Sequence, residues 1–249
     1  MPGRVLRYGL VDSTNERALS ALHDGSAVHG DVHVAEGQTA GRGRLGRRWT
    51  SPAGEGLYLS LVVKPGSVPP AGSLTLAGGL AVLDTCRALG LDRASLDWPN
   101  DVVVGEAKLA GILTESRGLD PDDPAWVIGV GLNVLQREFP PALTEARAVT
   151  SLALEGLAVR RSEVEDTLIA ALRRRVPAAL TGPEPLFEEA FGALVQARRD
   201  VRVDMAGEPV SGRFAALHPH RGLCLEQATG RAWLPLAHVR SVEAVGAAL

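Results

Sequence analysis

A short segment rich in glycine and arginine, Gly41–Trp49, is the part of the chain best suited to bind a small anion. It reads Gly-Arg-Gly-Arg-Leu-Gly-Arg-Arg-Trp, and no acidic residue occurs between Glu36 and Glu55 to neutralise its four arginines. Glycines let the backbone close around a ligand, and guanidinium groups bind carboxylates or phosphates through paired donors. We therefore expect a cationic loop that is mobile without an anion and ordered around one. A solvated linker and an arginine-rich patch for single-stranded nucleic acid are the alternatives.

Lysine is rare in this chain, which makes its positions informative. Only two of the 26 basic residues are lysines, Lys64 and Lys108. Lys64 ends an apolar run directly before a proline, where a charged residue needs no special explanation. Lys108 is the first residue of the segment Lys-Leu-Ala-Gly-Ile-Leu. Its side chain ends in a compact ammonium, whereas nearly all other basic residues of the chain are arginines with a planar guanidinium. We predict that Lys108 binds an anionic ligand.

Bulk properties exclude several classes of function. The chain has 249 residues, a net charge of −3 and a pI of about 6.1, so no overall positive field attracts nucleic acid or an anionic membrane. No apolar run approaches the roughly 18 residues of a membrane-spanning helix. The two cysteines, Cys86 and Cys224, lie in apolar runs and are expected to be buried. We expect a cytoplasmic protein without membrane association.

Apolar periodicity predicts an α+β fold for residues 1–198. The predicted strands are Val5–Leu10, Val32–Ala35, Leu57–Val63, Ser95–Trp98, Val102–Val104, Leu109–Thr114 and Trp126–Asn133. The predicted helices are one that begins after Ser13, then Leu74–Leu89, Ser162–Leu172 and Leu186–Gln196. Two capping boxes are predicted, each a serine with a glutamate three residues later: Ser13 with Glu16, and Ser162 with Glu165.

The pattern changes after residue 198. Short β-like segments separated by glycine and proline turns follow at Val201–Asp204, Val210–Leu217, Gly222–Glu226 and Arg231–Leu236. Such a series predicts a small SH3-like β-barrel. We therefore expect two domains, residues 1–198 and residues 199–249.

Four segments, in this order, closely resemble the biotin protein ligases. They are Ser13-Thr14-Asn15 at a helix start, Gln38–Trp49, Trp98–Asp101 followed by Lys108–Leu113, and Ile128–Asn133. The combination is specific and the resemblance extends over nearly the whole chain. It implies a mixed-sheet catalytic domain like that of the class II synthetases, with flanking helices, followed by the SH3-like barrel.

The resemblance also implies a two-step ligase reaction. The biotin carboxylate attacks the α-phosphorus of ATP, with Mg²⁺ accompanying the nucleotide, and gives biotinyl-5′-AMP and pyrophosphate. A lysine amine of a biotin carrier protein, the carrier subunit of acetyl-CoA carboxylase, then attacks the mixed anhydride and releases AMP. Two anions meet in the first step, so cationic side chains must offset their repulsion.

Some members of this family also repress transcription through an N-terminal DNA-binding module. No helix-turn-helix segment precedes the first predicted strand, which begins at Val5. We therefore expect a ligase that does not bind operator DNA specifically, and a homodimer is compatible with the family.

The resemblance assigns roles to residues of the four segments. Catalytic roles are expected for Lys108, Arg44 and Asp101. Biotin binding is expected from Ser13, Thr14, Asn15, Gln38, Arg42, Gly43, Arg44, Lys108 and Gly111. Binding of ATP or the adenylate is expected from Gly41, Arg42, Arg44, Arg47, Trp49, Asn100, Lys108 and Asn133. Close backbone approach to a ligand is expected at Gly129 and Gly131. Asp101 is expected either to bind Mg²⁺ or to orient the acceptor lysine.

These assignments have structural alternatives. Ser13 can be only a helix cap, and Asn100 and Asp101 can be turn formers before a strand. The last two glycines can reflect tight strand packing, and Arg47 and Arg48 can simply be solvated.

One position departs from the family pattern. A lysine usually precedes Trp-Pro-Asn-Asp in these ligases, whereas this chain has Asp97. If the lysine supports the nucleotide directly, the change weakens ATP binding; if it lies on the outer face of the strand, the change is harmless. We favour the outer face.

Two other functions stay open. The first is a lipoate- or octanoyl-transferring relative with the same architecture. Octanoyl transferases of that kind use a cysteine and a lysine, and neither Cys86 nor Cys224 lies near a motif lysine. The second is a nucleic-acid-binding protein that uses the arginine loop, which the acidic pI and the lack of interleaved aromatic residues disfavour.

Overall fold

Two β-sheets organise the chain. The structure is a computed structural model that describes residues 2–116, 122–205 and 207–245. The first sheet has seven strands: β1 (Val5–Val11), β2 (Val32–Gln38), β3 (Gly56–Val63), β4 (Ala94–Asp97), β5 (Asp101–Val104), β6 (Ala107–Glu115) and β7 (Trp126–Asn133). The second has five: β8 (Asp200–Met205), β9 (Val210–His218), β10 (Gly222–Gln227), β11 (Gly230–Leu234) and β12 (Val239–Ala244).

The first sheet is mixed. Its strand order is β1-β2-β3-β7-β6-β5-β4, and β1 pairs with β2 in parallel. The pairs that follow along the sheet are antiparallel. The predicted α+β class with a mixed sheet is thereby confirmed. The central strand β3 is buried over its whole length because both faces of the sheet are covered there.

Helices cover the two faces of the first sheet unequally. The described helices are α1 (Thr14–His23), α2 (Ser73–Ala88), α3 (Pro141–Ala146), α4 (Arg161–Thr181) and α5 (Glu184–Ala193). Helix α1 packs Ala18 and Leu19 against Val62 and Val127 on one face. Helix α2 covers the other face, and α4 packs on α2. The first face is therefore only partly covered by helix, which leaves room for a cavity beside α1.

The main core lies between the first sheet, α2 and α4. The close approach of α2 to the sheet requires a glycine, because a Cβ atom at Gly78 would lie 3.0 Å from Cγ2 of Ile112. On the outer side of α2, Asp84 accepts hydrogen bonds from Arg174 and Arg175 of α4. Burial alone would raise the pKa of Asp84, but these hydrogen bonds outweigh it and hold the pKa below its usual value.

The second sheet is antiparallel, with strand order β11-β10-β9-β8-β12. Its interior side chains include Val203, Phe214 and Leu225, all fully buried. Phe191 of α5 meets Phe214 edge to face, with ring centroids 5.2 Å apart, so this sheet packs against the end of α5. The four β-segments predicted after residue 198 are confirmed, and β12 was not predicted.

Both predicted capping boxes are wrong in their hydrogen bonds. Ser13 does occupy the N-cap position of α1, but its side chain makes no cap hydrogen bond. Its backbone N–H donates instead to Asp12, and Glu16 turns away to pair with Arg42. Ser162 is not an N-cap, because α4 begins at Arg161 with Arg160 at the cap position. Its predicted partner Glu165 pairs with Arg7.

Two other helix predictions need correction. The helix predicted over Leu186–Gln196 runs over Glu184–Ala193, because the chain beyond it pairs with β4: the Val195 N–H donates to the Leu96 carbonyl. The helix predicted over Ser162–Leu172 continues to Thr181, and helix α3 was not predicted. Both cysteines are free and buried, as expected. None of the described helices is long and apolar enough to cross a membrane.

Candidate active site

A cavity of about 480 Å³ opens on the face of the first sheet that carries α1. The register of the strands explains its position. Gly131 of β7 pairs with Gly111 of β6, and Gly129 pairs with Ser60 of β3, so three glycines form one patch on this face. The three glycines line the cavity, and because they have no side chains Asn15 and Trp49 can lie close against the sheet. The cavity lining contains the residues predicted to bind ligands, with the exception of Gly41.

The end of the cavity beside α1 is lined by polar groups held in a fixed arrangement. Gln38 accepts a hydrogen bond from the Thr14 N–H through Oε1 (2.8 Å), and its Nε2 donates to Oγ of Ser51 (2.9 Å). Ser60 Oγ lies 2.7 Å from Thr14 Oγ1 and 2.5 Å from Asn15 Oδ1. Gln38 is half-buried and the other side chains are buried, and they are already oriented by one another. They can offer both donors and acceptors to a small polar group of a ligand.

The arginine loop forms a short hairpin over the cavity. Arg42 and Arg48 form an antiparallel bridge, and the Gly43 N–H donates to the Arg47 carbonyl at 2.7 Å. At the tip, Leu45 has a positive φ of 56° and is 80% exposed. The loop is thus a built turn held between β2 and β3.

Gly41 lies at the neck of the loop, where its two arms approach each other, and does not belong to the cavity lining. Its carbonyl accepts the Trp49 N–H at 2.9 Å. A Cβ atom at Gly41 would lie 2.5 Å from the Trp49 carbonyl oxygen, so only glycine lets the two arms approach this closely. Gly41 was expected to contact the nucleotide, and the structure places it outside the cavity lining.

Arg42 is neutralised by carboxylates that are distant in sequence. Its guanidinium makes ion pairs with Glu16 of α1 and with Glu115 at the end of β6. Asn15 donates to the same Glu115 carboxylate at 2.8 Å. The sequence has no acid between Glu36 and Glu55, and the acids that pair with this arginine come from outside that segment. Arg42 lines the cavity from a position fixed by two acids.

Trp49 packs directly on the glycine patch. A Cβ atom at Gly131 would lie 2.5 Å from the indole Nε1, and one at Gly111 would lie 3.1 Å from Cζ3. The ammonium of Lys108 lies 5.3 Å from the centroid of the indole ring, within the range of a cation–π contact. The loop therefore meets the sheet through an aromatic ring that borders the key lysine.

Lys108 belongs to a chain of alternating charges. Its Nζ lies 2.7 Å from Oδ1 of Asp101, an ion pair. The other oxygen of Asp101 lies 2.5 Å from Nη1 of Arg147, and Nη2 of Arg147 lies 2.5 Å from Oδ2 of Asp97. Asp97 also accepts a hydrogen bond from Gln196. Asp97 is not part of the cavity lining and its carboxylate faces Arg147, so the expected harmlessness of this change for ATP binding stays a prediction.

The remaining loop arginines differ in their burial. Arg44 points into the cavity, where Nη1 lies 3.4 Å from Oδ1 of Asn100. Burial lowers the pKa of the Arg44 guanidinium, and the nearby carboxylate of Asp101 opposes that shift. Arg47 and Arg48 reach the cavity rim but are mostly exposed. Arg44 is therefore the loop arginine, beside Arg42, that is best placed to meet an anion inside the cavity.

A segment that the sequence reading missed closes the far side of the cavity. Helix α3 and its flanks contribute Gln136, Phe139, Leu143 and Arg147 to the lining. Asn133 fixes this segment, because its Nδ2 donates to the Thr150 carbonyl at 2.9 Å. No motif marks residues 136–149, and the diproline at 140–141 before α3 was the one local signal for a helix start.

The described residues do not form a metal site of their own. Nowhere in the described ranges do three His, Cys, Asp or Glu side chains come together as potential ligands. The two oxygens of Asp101, the residue considered for Mg²⁺, face Lys108 and Arg147. The donor set does not fit a protein-bound magnesium ion, and we assign Asp101 to the ion pairs.

A family model described as the biotin/lipoate A/B protein ligase family matches residues 8–133. That range begins in β1, ends with β7 and contains the arginine loop, the glycine patch and Lys108. The chain belongs to this biotin/lipoate ligase family.

Relatives of this chain include proteins named as bifunctional ligase/repressors and proteins named as ligases. The chain is 38% identical over 188 residues to the bifunctional ligase/repressor BirA of Escherichia coli (strain K12), covering 75% of this chain and 55% of that protein. It is 35% identical over 220 residues to the biotin–[acetyl-CoA-carboxylase] ligase of Mycobacterium tuberculosis, covering 86% of this chain and 80% of that protein. The chain spans about half the length of the bifunctional relatives it matches.

Solved structures of the family share the whole fold. The biotin protein ligase from Aquifex aeolicus in complex with biotin and ATP superposes with a TM-score of 0.81 at 27% identity, covering 97% of this chain and 99% of that chain. The likeness extends over both sheets, so the mixed sheet followed by a second antiparallel sheet is an architecture of the family.

Proposed function

We propose that this protein is an ATP-dependent ligase that activates biotin as biotinyl-5′-AMP and transfers it to a lysine of a biotin carrier protein. The observation that carries the proposal is a single cavity in which Arg42, Arg44 and Lys108 lie between a polar end and an end bordered by Trp49 and α3. The names of the relatives, and the biotin and ATP bound in the Aquifex ligase, support the same chemistry.

The first step joins two anions, and the cavity has the charge that this requires. An oxygen of the biotin carboxylate attacks the α-phosphorus of ATP; a new P–O bond forms, and pyrophosphate leaves with the electrons of the broken bond. Arg44 and Lys108 bring cations to this region, where they offset the repulsion between carboxylate and phosphate. Arg42 lines the same cavity, with its charge paired to Glu16 and Glu115. The polar end formed by Thr14, Asn15 and its neighbours suits the ureido group of biotin, which has two donors and one acceptor.

The second step needs no covalent enzyme intermediate. The neutral amine of the carrier lysine attacks the acyl carbon of the mixed anhydride. The C–N bond forms as the bond between the acyl carbon and the phosphate oxygen breaks; AMP leaves with that electron pair, and the amine proton passes to water. Lys108 and Arg44 remain beside the phosphate and stabilise the leaving group. Both oxygens of Asp101 face cations, Lys108 and Arg147, so a role for this carboxylate in orienting the acceptor lysine stays a prediction.

The burial of both cysteines argues against a catalytic thiol of the octanoyl-transferase type. Cys86 lies fully buried in α2, and burial raises the pKa of its thiol to about 12. Cys224 is buried in the second sheet, and burial raises its pKa as well. A catalytic thiolate needs a depressed pKa and access to substrate. Ligation of lipoate by the same adenylate chemistry is the rival that a ligand test must decide.

A nucleic-acid-binding role for the arginine loop finds less support. Arg42 and Arg44 line the cavity, and Arg42 is paired with two acids, so they do not form an exposed basic stripe. Salt-dependent RNA binding in the absence of biotin binding would favour this alternative.

The proposal also includes the domain assignment, the acceptor protein and the nucleotide substrate. We assign residues 1–198 to a class II synthetase-like catalytic domain and residues 199–249 to an SH3-like barrel. The acceptor is a biotin carrier domain such as that of acetyl-CoA carboxylase, and MgATP is the nucleotide substrate. A cytoplasmic location and a homodimer are part of the expectation for this family.

Purified protein, biotin and MgATP should release pyrophosphate, and addition of a carrier domain should label one of its lysines. Lipoate and octanoate serve as matched competitors in the same assay. Pyrophosphate release that depends on lipoate but not on biotin would replace biotin by lipoate in the proposal. Release with neither acid would overturn it.

The arginine loop is proposed to act as a ligand-dependent lid. Trypsin should cut within residues 42–48 of the ligand-free protein, and biotinyl-AMP should slow that cleavage by about tenfold or more, because phosphate and carboxylate contacts offset the entropy of ordering the loop. Arg44→Ala should weaken the protection. Cleavage after Arg160, an exposed arginine outside the cavity, provides the control rate. Equal cleavage of the loop with and without ligand would show that it is not a lid.

A further inference from the structure

Among the described residues, Arg147 is the one arginine of the cavity lining that lies outside the motifs of the sequence. It follows α3 directly, lines the cavity, and makes two ion pairs at 2.5 Å, to Asp101 and to Asp97. The guanidinium fork therefore bridges the start of β5 and the end of β4. These two strand ends flank the Trp-Pro-Asn turn of the motif.

Asp101 is shared between two cations. One oxygen lies 2.7 Å from Nζ of Lys108 and the other faces Arg147, and the Asp101 side chain is only 11% exposed. In such a site water screens the charges weakly. If Arg147 were absent, the whole negative charge of Asp101 would fall to Lys108, whose ammonium would then be held against the carboxylate instead of being available to substrate oxygens.

Asp97 sets the position of Arg147. Its carboxylate pairs with Arg147 and also accepts a hydrogen bond from Gln196, which in turn accepts the Trp98 N–H at 3.3 Å. A cation at position 97 would face Arg147 with like charge. The acid at this position and the arginine at 147 therefore form a matched pair.

We propose that Arg147 is a positioning residue for Lys108, held in place by Asp97. By neutralising Asp101 from the side opposite Lys108, it leaves the ammonium free to bind the substrate phosphate. This inference rests on the proposed function, since the phosphate is that of ATP.

The test uses Arg147→Gln, Arg147→Lys, Asp97→Asn and the control Arg137→Gln, which changes an exposed arginine of the same segment. Arg147→Gln should lower kcat for pyrophosphate release and weaken binding of a non-hydrolysable ATP analogue, each by about tenfold, less than the loss of a direct substrate contact. Biotin affinity, measured without nucleotide, should stay within about twofold. Arg147→Lys keeps the charge and should therefore lose less kcat and ATP-analogue affinity than Arg147→Gln. Asp97→Asn should also lower both quantities, by a smaller factor than Arg147→Gln. Arg137→Gln should resemble the parent protein.

A double-mutant cycle separates positioning from simple bracing of α3. In an Asp101→Asn background, Arg147→Gln should have little further effect on ATP-analogue binding, because the charge that it neutralises is gone. Additive losses, or an equal fall in biotin affinity and melting temperature, would show that Arg147 only stabilises the fold and would overturn the inference. The binding cycle needs no turnover. If the parent protein bound the analogue but released no pyrophosphate with biotin, the proposed function alone would fail.

Discussion

Replacing Lys108 by arginine is expected to lower the rate of biotinyl-AMP formation by roughly 100-fold or more, although the positive charge is kept. The ammonium occupies a narrow position between Oδ1 of Asp101 and the indole ring of Trp49. A guanidinium is larger and planar, so it must displace one of these neighbours or point its donors elsewhere. Biotin-dependent pyrophosphate release at saturating ATP measures the effect.

The chain supplies its own control for this substitution. Lys64 is the other lysine; its Nζ pairs with Asp123 at 2.8 Å, and neither residue belongs to the cavity lining. Lys64→Arg should leave the rate within about twofold, since an exposed ion pair contributes little and tolerates the exchange. Near-normal turnover of Lys108→Arg would place Lys108 outside the reaction and refute its assigned role.

Two alanine substitutions in the glycine patch should affect the two ends of the cavity separately, one the binding of biotin and the other the retention of biotinyl-AMP. At Gly129 the new Cβ would lie 2.2 Å from Oδ1 of Asn15, a side chain fixed by Ser60 and Glu115. Forced overpacking of this kind typically costs about 1–3 kcal/mol. If this overpacking destabilises the biotin-bound state relative to the free protein by that amount, the dissociation constant of biotin rises by roughly 5- to 150-fold. Calorimetric titration of the folded variant with biotin measures this.

The second substitution, Gly131→Ala, should act on the nucleotide side. Its Cβ would lie 2.5 Å from Nε1 of Trp49, so the indole ring and the neck of the loop must move. We expect weaker retention of biotinyl-AMP, with a smaller change in biotin affinity than Gly129→Ala produces. Gly192→Ala is the matched control, because that helical glycine has open space around its Cβ position. Equal biotin affinities for all three variants would show that the patch does not line a biotin site.

The sequence predicted the motif-bearing half of the site well because that half is encoded locally. The arginine loop, Lys108 and the glycines of β6 and β7 each lie in short segments whose residue types limit what they can do. The structure brings them together because strand register aligns Gly111 with Gly131 and Gly129 with Ser60. Periodicity can locate such strands, but it does not give their order in the sheet.

The other half of the site depends on contacts between residues far apart in sequence, which no local pattern contains. The ion pair between Arg147 and Asp97 spans about 50 positions, and the acids that neutralise Arg42 come from α1 and β6. The capping boxes failed for the same reason: Glu16 and Glu165 have the right spacing for a cap, but each is taken by a distant arginine. Tertiary ion pairs outweighed the local hydrogen bonds that the spacing predicted.

The burial of both cysteines makes the arginine loop accessible to selective chemical labelling. The sequence contains two cysteines, and both are enclosed in the core, where a maleimide cannot reach them while the protein is folded. A thiol introduced at Leu45, the exposed tip of the loop, would then be the single reactive sulfur of the native molecule. A fluorophore or spin label attached there would report the movement of the loop in real time, without removing any residue of the natural chain other than one surface leucine.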